Sequence, residues 1–231
     1  MNQVLLKYVG QGIMPGQWNI VVYVIFVAKW GLPVRIGVDI DGVLADSLSL
    51  WINELNSYFK KDKRVEQIRI LDICEIYEVT QEELSGFLAR RGRYLMTKPT
   101  PITGASKYLG MIKKYHDIYI VTARDEGFRQ ETVDWLRKHN LPYDELILLG
   151  SHEKKEACLS RNINVLVEDT LEIGVKVSSA GVPVLLLDAP YNQGTLPDLI
   201  HRVYSWFDVY RTIVVEPHLL NRPKQQRAGC R

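Results

Sequence analysis

Residues 34–46, Val-Arg-Ile-Gly-Val-Asp-Ile-Asp-Gly-Val-Leu-Ala-Asp, constrain this chain more than any other stretch. Val34, Ile36, Val38 and Ile40 form a β-branched run that reads as a buried strand. Asp39 and Asp41 stand two residues apart at its end, and Gly42 lets the chain turn away without a Cβ clash. A strand interior does not normally carry two aspartates, because an unpaired buried carboxylate costs several kcal/mol or shifts its pKa. The carboxyl end of a parallel strand is different, since that crevice is where open α/β sheets bind ligands. Two carboxylates there can hold a divalent cation, which offsets their mutual repulsion. One of them can attack phosphorus as a nucleophile while the other moves a proton on and off the leaving oxygen.

The rest of the chain supplies the sheet that such a strand needs. Asp46 or Ser47 can cap a helix running to about Phe59, with Leu50, Trp51, Leu55 and Tyr58 at helical spacing. From Lys60 to Lys98 the pattern is helical and strand-poor, and Thr80-Gln81-Glu82-Glu83 reads as a capping box opening a helix through Arg90. Residues 47–100 are therefore expected to form a small helical insertion, closed by the breaker Lys98-Pro99-Thr100-Pro101. Strands then recur at Ile118 to Val121, Leu146 to Leu149, Val165 to Val167 and Val184 to Leu187, separated by helices. A last helix is expected from Thr195 and Pro197 to about Phe207. The fold class is α/β, a doubly wound parallel sheet built from residues 34–46 and 101–210 with the helical insertion beside it.

Polar groups fall where these strands stop. Thr122 ends the second strand, where a hydroxyl and free backbone N–H groups can hold a phosphate oxygen, with Asp125 nearer the helix-capping position. Lys154 and Lys155 follow the third strand, and a lysine there can act as a point charge on phosphoryl oxygens. Glu168-Asp169 ends the fourth strand and can complete an oxygen-only shell suited to Mg²⁺.

Taken in order, aspartate pair, threonine, lysine and acidic pair resemble the four motifs of the haloacid dehalogenase (HAD) superfamily of phosphohydrolases across residues 34–188. The resemblance implies Asp39 as the nucleophile that becomes a phosphoaspartate and Asp41 as the acid/base. It implies Thr122 and Lys154 as the phosphate-holding pair, with Lys154 preferred over Lys155. Mg²⁺ would be bound by Asp39, the backbone carbonyl of Asp41 and Asp169, and the insertion would be a C1-type cap. Asp41-Gly42-Val43-Leu44-Ala45-Asp46, Thr122-Ala123-Arg124, Glu168-Asp169 and Pro190-Tyr191-Asn192 resemble the 5′(3′)-deoxyribonucleotidase-like family in particular. Arg124 enters the candidate site with that string. Glu168 stands where characterised nucleotidases tend to carry Asp. A nucleoside monophosphate is the substrate this implies; a sugar phosphate, or a binding protein that kept the fold without turnover, are the alternatives.

Composition adds exclusions. A chain of 231 residues with 46% apolar and 24% charged residues and a net charge of +2 shows no basic stripe for a nucleic-acid polymer. Cys74, Cys158 and Cys230 are scattered without CxxC spacing, which fits a reducing cytoplasm and neither a disulfide framework nor a zinc site. Residues 1–33 read as an N-terminal extension whose apolar run, Ile20 to Ala28, is too short to span a membrane. Residues 211–231 read as a tail, basic and flexible from Asn221 onward. Oligomeric state is unspecified, and a homodimer stays open.

Overall fold

The structure, a computed structural model, describes residues 33–69 and 72–221. The apolar run at Ile20 to Ala28 and the basic segment beyond Asn221 lie outside the described residues.

The aspartate-bearing run forms β1 (Arg35–Val38), the sheet's inner strand. Beyond it the chain turns at Gly42 and pairs β2 (Ala45–Asp46) with β3 (Thr100–Pro101) in a short antiparallel ladder. Between these two strands lie α1 (Leu48–Phe59), α2 (Ile73–Tyr77) and α3 (Gln81–Thr97). Then come α4 (Ala105–Ile112), β4 (Asp117–Thr122), α5 (Arg129–Lys138), β5 (Glu145–Leu148) and α6 (Lys154–Ser160). The chain continues through β6 (Val165–Glu168), α7 (Leu171–Ser178), β7 (Val184–Leu187), β8 (Ile200–Val203) and α8 (Trp206–Tyr210). Six parallel strands take the order β5-β4-β1-β6-β7-β8, with Val38 paired to Ile120 on one side and Val167 on the other. Strand order reverses at β1, so the carboxyl ends of β4, β1 and β6 open on one crevice.

One apolar cluster covers the sheet on the side of α4, α5 and α8, and a second lies beneath α6 and α7. Two buried indoles fasten the connections to the helical unit: Trp206 Nε1 donates to Val43 O at 2.8 Å and Trp135 Nε1 to Pro99 O at 2.8 Å. The helical unit has its own core, in which Phe87 contacts Trp51, Tyr58 and Phe59 ring to ring. Those aromatics serve burial in the insertion, the role a unit of this size requires of them. Among the described residues no helix is long and apolar enough to cross a membrane.

Three expectations change. The capping box at Thr80 and Glu83 forms, but its helix runs on to Thr97 rather than stopping at Arg90. Leu95 and Met96 extend the apolar stripe, and Gly92 lets the Phe128 ring approach, 2.9 Å from where a Cβ would stand. The helix expected from Thr195 to Phe207 is replaced by β8 and the short α8. Pairing of Val184 with Ile200 and Leu187 with Val203 covers the edge of a wholly buried β7, and this non-local gain overrides the local helix-start signal. Finally, residues 211–221 are not tail. A π-turn at Arg211–Val215 and a 3₁₀ turn at Pro217–Asn221 bring Ile213 and Leu220 into the main core.

Candidate active site

The crevice gathers residues from five strand ends. Asp39 follows β1 and is fixed by its backbone N–H, which donates to Val167 O at 3.0 Å. Lys154, the first residue of α6, is 1% exposed and points its ammonium between two carboxylates. Its Nζ lies 2.7 Å from Asp39 Oδ1 and 2.8 Å from Glu168 Oε2. Lys155 is not brought into this cluster and stays partly exposed. Asp169 is buried beside Glu168, whose Oε1 accepts from the backbone N–H groups of Asp169 and Thr170 at 3.2 and 3.0 Å.

Three buried carboxylates thus cluster here, and Lys154 pairs with two of them, Asp39 and Glu168. Burial, reinforced by Glu168 and Asp41 against the pull of Lys154, pushes Asp39 up to about 7. Burial, Glu168 and Asp39 together lift Asp169 well above the usual carboxylate range. Burial acts on Glu168 as well, but the Lys154 charge and hydrogen bond outweigh it and hold Glu168 low. The cluster is one positive partner short. Asp39, Glu168 and Asp169 each place an oxygen within 4.8 Å of the others. Asp39 Oδ1 has its charge contact with Lys154 but no donor in hydrogen-bonding geometry, so it retains free lone pairs. Hard, crowded, oxygen-only donors of this kind fit a small divalent cation.

Asp41 is handled separately. Arg124 Nε and Nη2 clamp its two oxygens at 2.8 and 2.9 Å. Burial pushes Asp41 up, yet the guanidinium and a hydrogen bond from Ser47 prevail and hold it below its ordinary value. Arg124 is itself immobilised: Nη1 donates to Met96 O at 3.3 Å and Thr132 Oγ1 at 3.4 Å, and the group lies 5.9 Å from the Trp135 ring centroid. The Asp41 side chain is therefore turned to Arg124 rather than to the three-carboxylate cluster. Thr122 is buried, and its Oγ1 accepts from the Arg124 backbone N–H at 3.3 Å. Asp125 takes the capping position, accepting from Gly127 N at 2.8 Å. Cys158 lies behind Lys154, and burial pushes its thiol up to about 11, leaving it inert as a nucleophile.

Two residues in the crevice escaped the sequence reading as site members. The Tyr191 hydroxyl donates to Asp169 Oδ2, and Asn192 Nδ2 donates to Asp169 O at 2.6 Å. The signal for them was their position directly after an apolar strand, the rule that singled out the other members. Gly42 makes room for this arrangement. It adopts φ +84°, and a Cβ there would collide with Asp169 Oδ2. Gly42→Ala is expected to destabilise the fold by ~1–3 kcal/mol through the left-handed backbone alone. It should also weaken divalent-cation binding as Asp169 is displaced; urea unfolding and a Mg²⁺ titration check the two effects separately.

The profile of the family described as 5′ nucleotidase, deoxy (Pyrimidine), cytosolic type C protein matches residues 32–219. A nucleotidase from Clostridium acetobutylicum is 32% identical over 177 residues, covering 77% of this chain and 92% of its own length. Among solved structures, a haloacid dehalogenase-like hydrolase from Streptococcus pneumoniae has a TM-score of 0.63 at 17% identity, over 78% of this chain and 98% of that one. A HAD hydrolase from Bacillus subtilis, solved bound to magnesium, has a TM-score of 0.53 at 15% identity, over 83% of this chain and 100% of that one. The two structures speak for the fold, and the two sequence matches carry the narrower assignment. This chain belongs to the deoxy (pyrimidine), cytosolic type C 5′-nucleotidase family, and is a hydrolase with a HAD-like fold.

Proposed function

We propose that this hydrolase removes the phosphate from a nucleoside monophosphate through a phosphoaspartate on Asp39, with Mg²⁺ as its cation. The observation that carries this reading is the set of three buried carboxylates around one lysine at the strand-order reversal. Asp39, Glu168 and Asp169, with the Asp41 carbonyl that the family resemblance adds, are the residues that would hold the ion. Mg²⁺ bound there supplies positive charge opposite the phosphoryl oxygens.

The chain's own groups divide the remaining work. An Asp39 oxygen attacks phosphorus as the bond to the sugar oxygen breaks, and Asp41 gives that oxygen a proton. Water then attacks the phosphoaspartate, Asp41 takes the proton back, and inorganic phosphate leaves. Arg124 keeps the resting Asp41 ionised, the form needed to accept the proton from water. Asp41 must therefore collect its proton when substrate charge enters the crevice. Lys154 and the Thr122 hydroxyl are the groups we assign to the phosphate oxygens, with Lys154 also keeping Glu168 charged. The scattered thiols support a reducing, cytoplasmic setting for this chemistry.

Phosphate release from a panel of nucleoside and deoxynucleoside monophosphates, sugar phosphates and p-nitrophenyl phosphate, with Mg²⁺ and with EDTA, tests the reading. Mg²⁺-dependent release that prefers nucleotides is the expected result. Better turnover of sugar phosphates would keep the chemistry and remove the nucleotide. Folded, Mg²⁺-binding protein that turns over nothing would remove the hydrolase reading itself.

A further inference from the structure

We propose that Tyr191 is a positioning residue for the cation site: its hydroxyl orients Asp169, and its ring anchors that hydroxyl to the helical unit. The inference rests on the reading of Asp39, Glu168 and Asp169 as the cation's ligands. Tyr191 donates to Asp169 Oδ2, which consumes one lone-pair direction of that carboxylate and leaves its other oxygen for an ion. The ring packs against the buried cluster of the helical unit, the one containing Ile52, Phe87 and Leu95. One side chain therefore joins a carboxylate of the sheet crevice to the core of the insertion.

The backbone behind Tyr191 is braced at both ends. Asn192, 0% exposed, donates from Nδ2 to Asp169 O at 2.6 Å and to Leu187 O at 2.7 Å. Arg202 in β8 donates to Asn192 Oδ1 at 2.6 Å and Asn192 O at 2.7 Å, and pairs with Asp188 at 2.7 Å. The loop after β7 is thus held rigidly enough to fix a hydroxyl, and Gly42 leaves the space through which that hydroxyl reaches Asp169. A group that orients a ligand without touching the ion acts on affinity, and loss of such a partner typically weakens metal binding by about 10- to 100-fold.

Mg²⁺ binding to wild type and Tyr191→Phe, measured by calorimetry without substrate, tests this. Phenylalanine keeps the ring and its packing and removes only the donor. The Kd for Mg²⁺ is expected to rise by about 10- to 100-fold, with the melting temperature in EDTA unchanged. In turnover, the Mg²⁺ concentration for half-maximal rate should rise by the same factor, while kcat at saturating Mg²⁺ holds within about threefold. A Kd within about twofold of wild type overturns the inference and leaves the cation site standing. A variant that loses its melting transition in EDTA also overturns it, because the hydroxyl would then hold the fold rather than the ligand. Wild type that binds no Mg²⁺ at all removes both this inference and the function it rests on.

Discussion

Asp39→Asn is expected to abolish phosphate release, by ~10⁴-fold or more, because removing an attacking group leaves only the binding and electrostatic parts of the site. The same substitution should leave the protein folded and, without cation at high pH, more stable than wild type. Asp39 has a folded pKa pushed from 3.8 to about 7, so its contribution to stability is fully present below 3.8 and is lost as pH rises through about 7. A ceiling on that loss is on the order of 4 kcal/mol, reduced by whatever the crevice relaxes. Asparagine does not titrate, so the variant lacks this limb. In EDTA the two proteins should melt alike near pH 4 and diverge above neutrality, with the variant higher. Mg²⁺ should narrow the gap, since the wild type gains about 2.7 kcal/mol at a hundredfold excess over Kd and the variant, one ligand short, gains less. Equal phosphate release by the two proteins would remove Asp39 from the nucleophile's place.

The aspartate strand was legible because its rule is local: a β-branched run ending in paired carboxylates has few places to sit other than the open end of a parallel strand. Thr122, Lys154 and Glu168-Asp169 followed from the same strand-end rule, and the structure brings all of them to one crevice. The exchange of partners inside that crevice was not legible. Arg124 reaches Asp41 across 83 residues of sequence, and nothing in Thr122-Ala123-Arg124 tells a surface cation from a clamp on a carboxylate. Strand β8 failed for a related reason. Four residues, Ile-His-Arg-Val, carry too little periodicity to compete with a Thr and Pro that open helices elsewhere, and only pairing with β7 makes them a strand. Missing β8 also hid Arg202, and with it the bracing of Tyr191 and Asn192 against Asp169. The burial of Ile213 and Leu220 was not legible either, because the core residues they pack against lie far away in sequence.

Lys154→Met should give the largest loss of stability in the molecule, and the pH at which it is measured decides how much is seen. The ammonium is buried within 2.8 Å of both Asp39 and Glu168, so methionine fills the space and leaves two carboxylates without their cation. Breaking a buried pair in this one-sided way typically costs ~3–5 kcal/mol. In the wild type Glu168 has a lowered folded pKa, so its contribution is present above its unfolded value of 4.5 and is lost only as pH falls through the folded one. Without Lys154, burial is no longer outweighed, Glu168 joins Asp39 and Asp169 as a raised group, and the sign inverts. Stability of the variant then falls as pH rises. Urea unfolding in EDTA should show the two proteins close together near pH 4 and separated by the full few kcal/mol at about pH 8. Adding Glu168→Gln to the variant should restore part of the loss at high pH and little at low pH, because it removes one of the stranded charges. Mg²⁺ supplies positive charge to the same carboxylates and should stabilise the single variant most where it is weakest, above neutrality. A Lys154→Met protein within about 1 kcal/mol of wild type at pH 8 would mean that water reaches these carboxylates freely, and a crevice that wet could not give Asp39 its raised pKa.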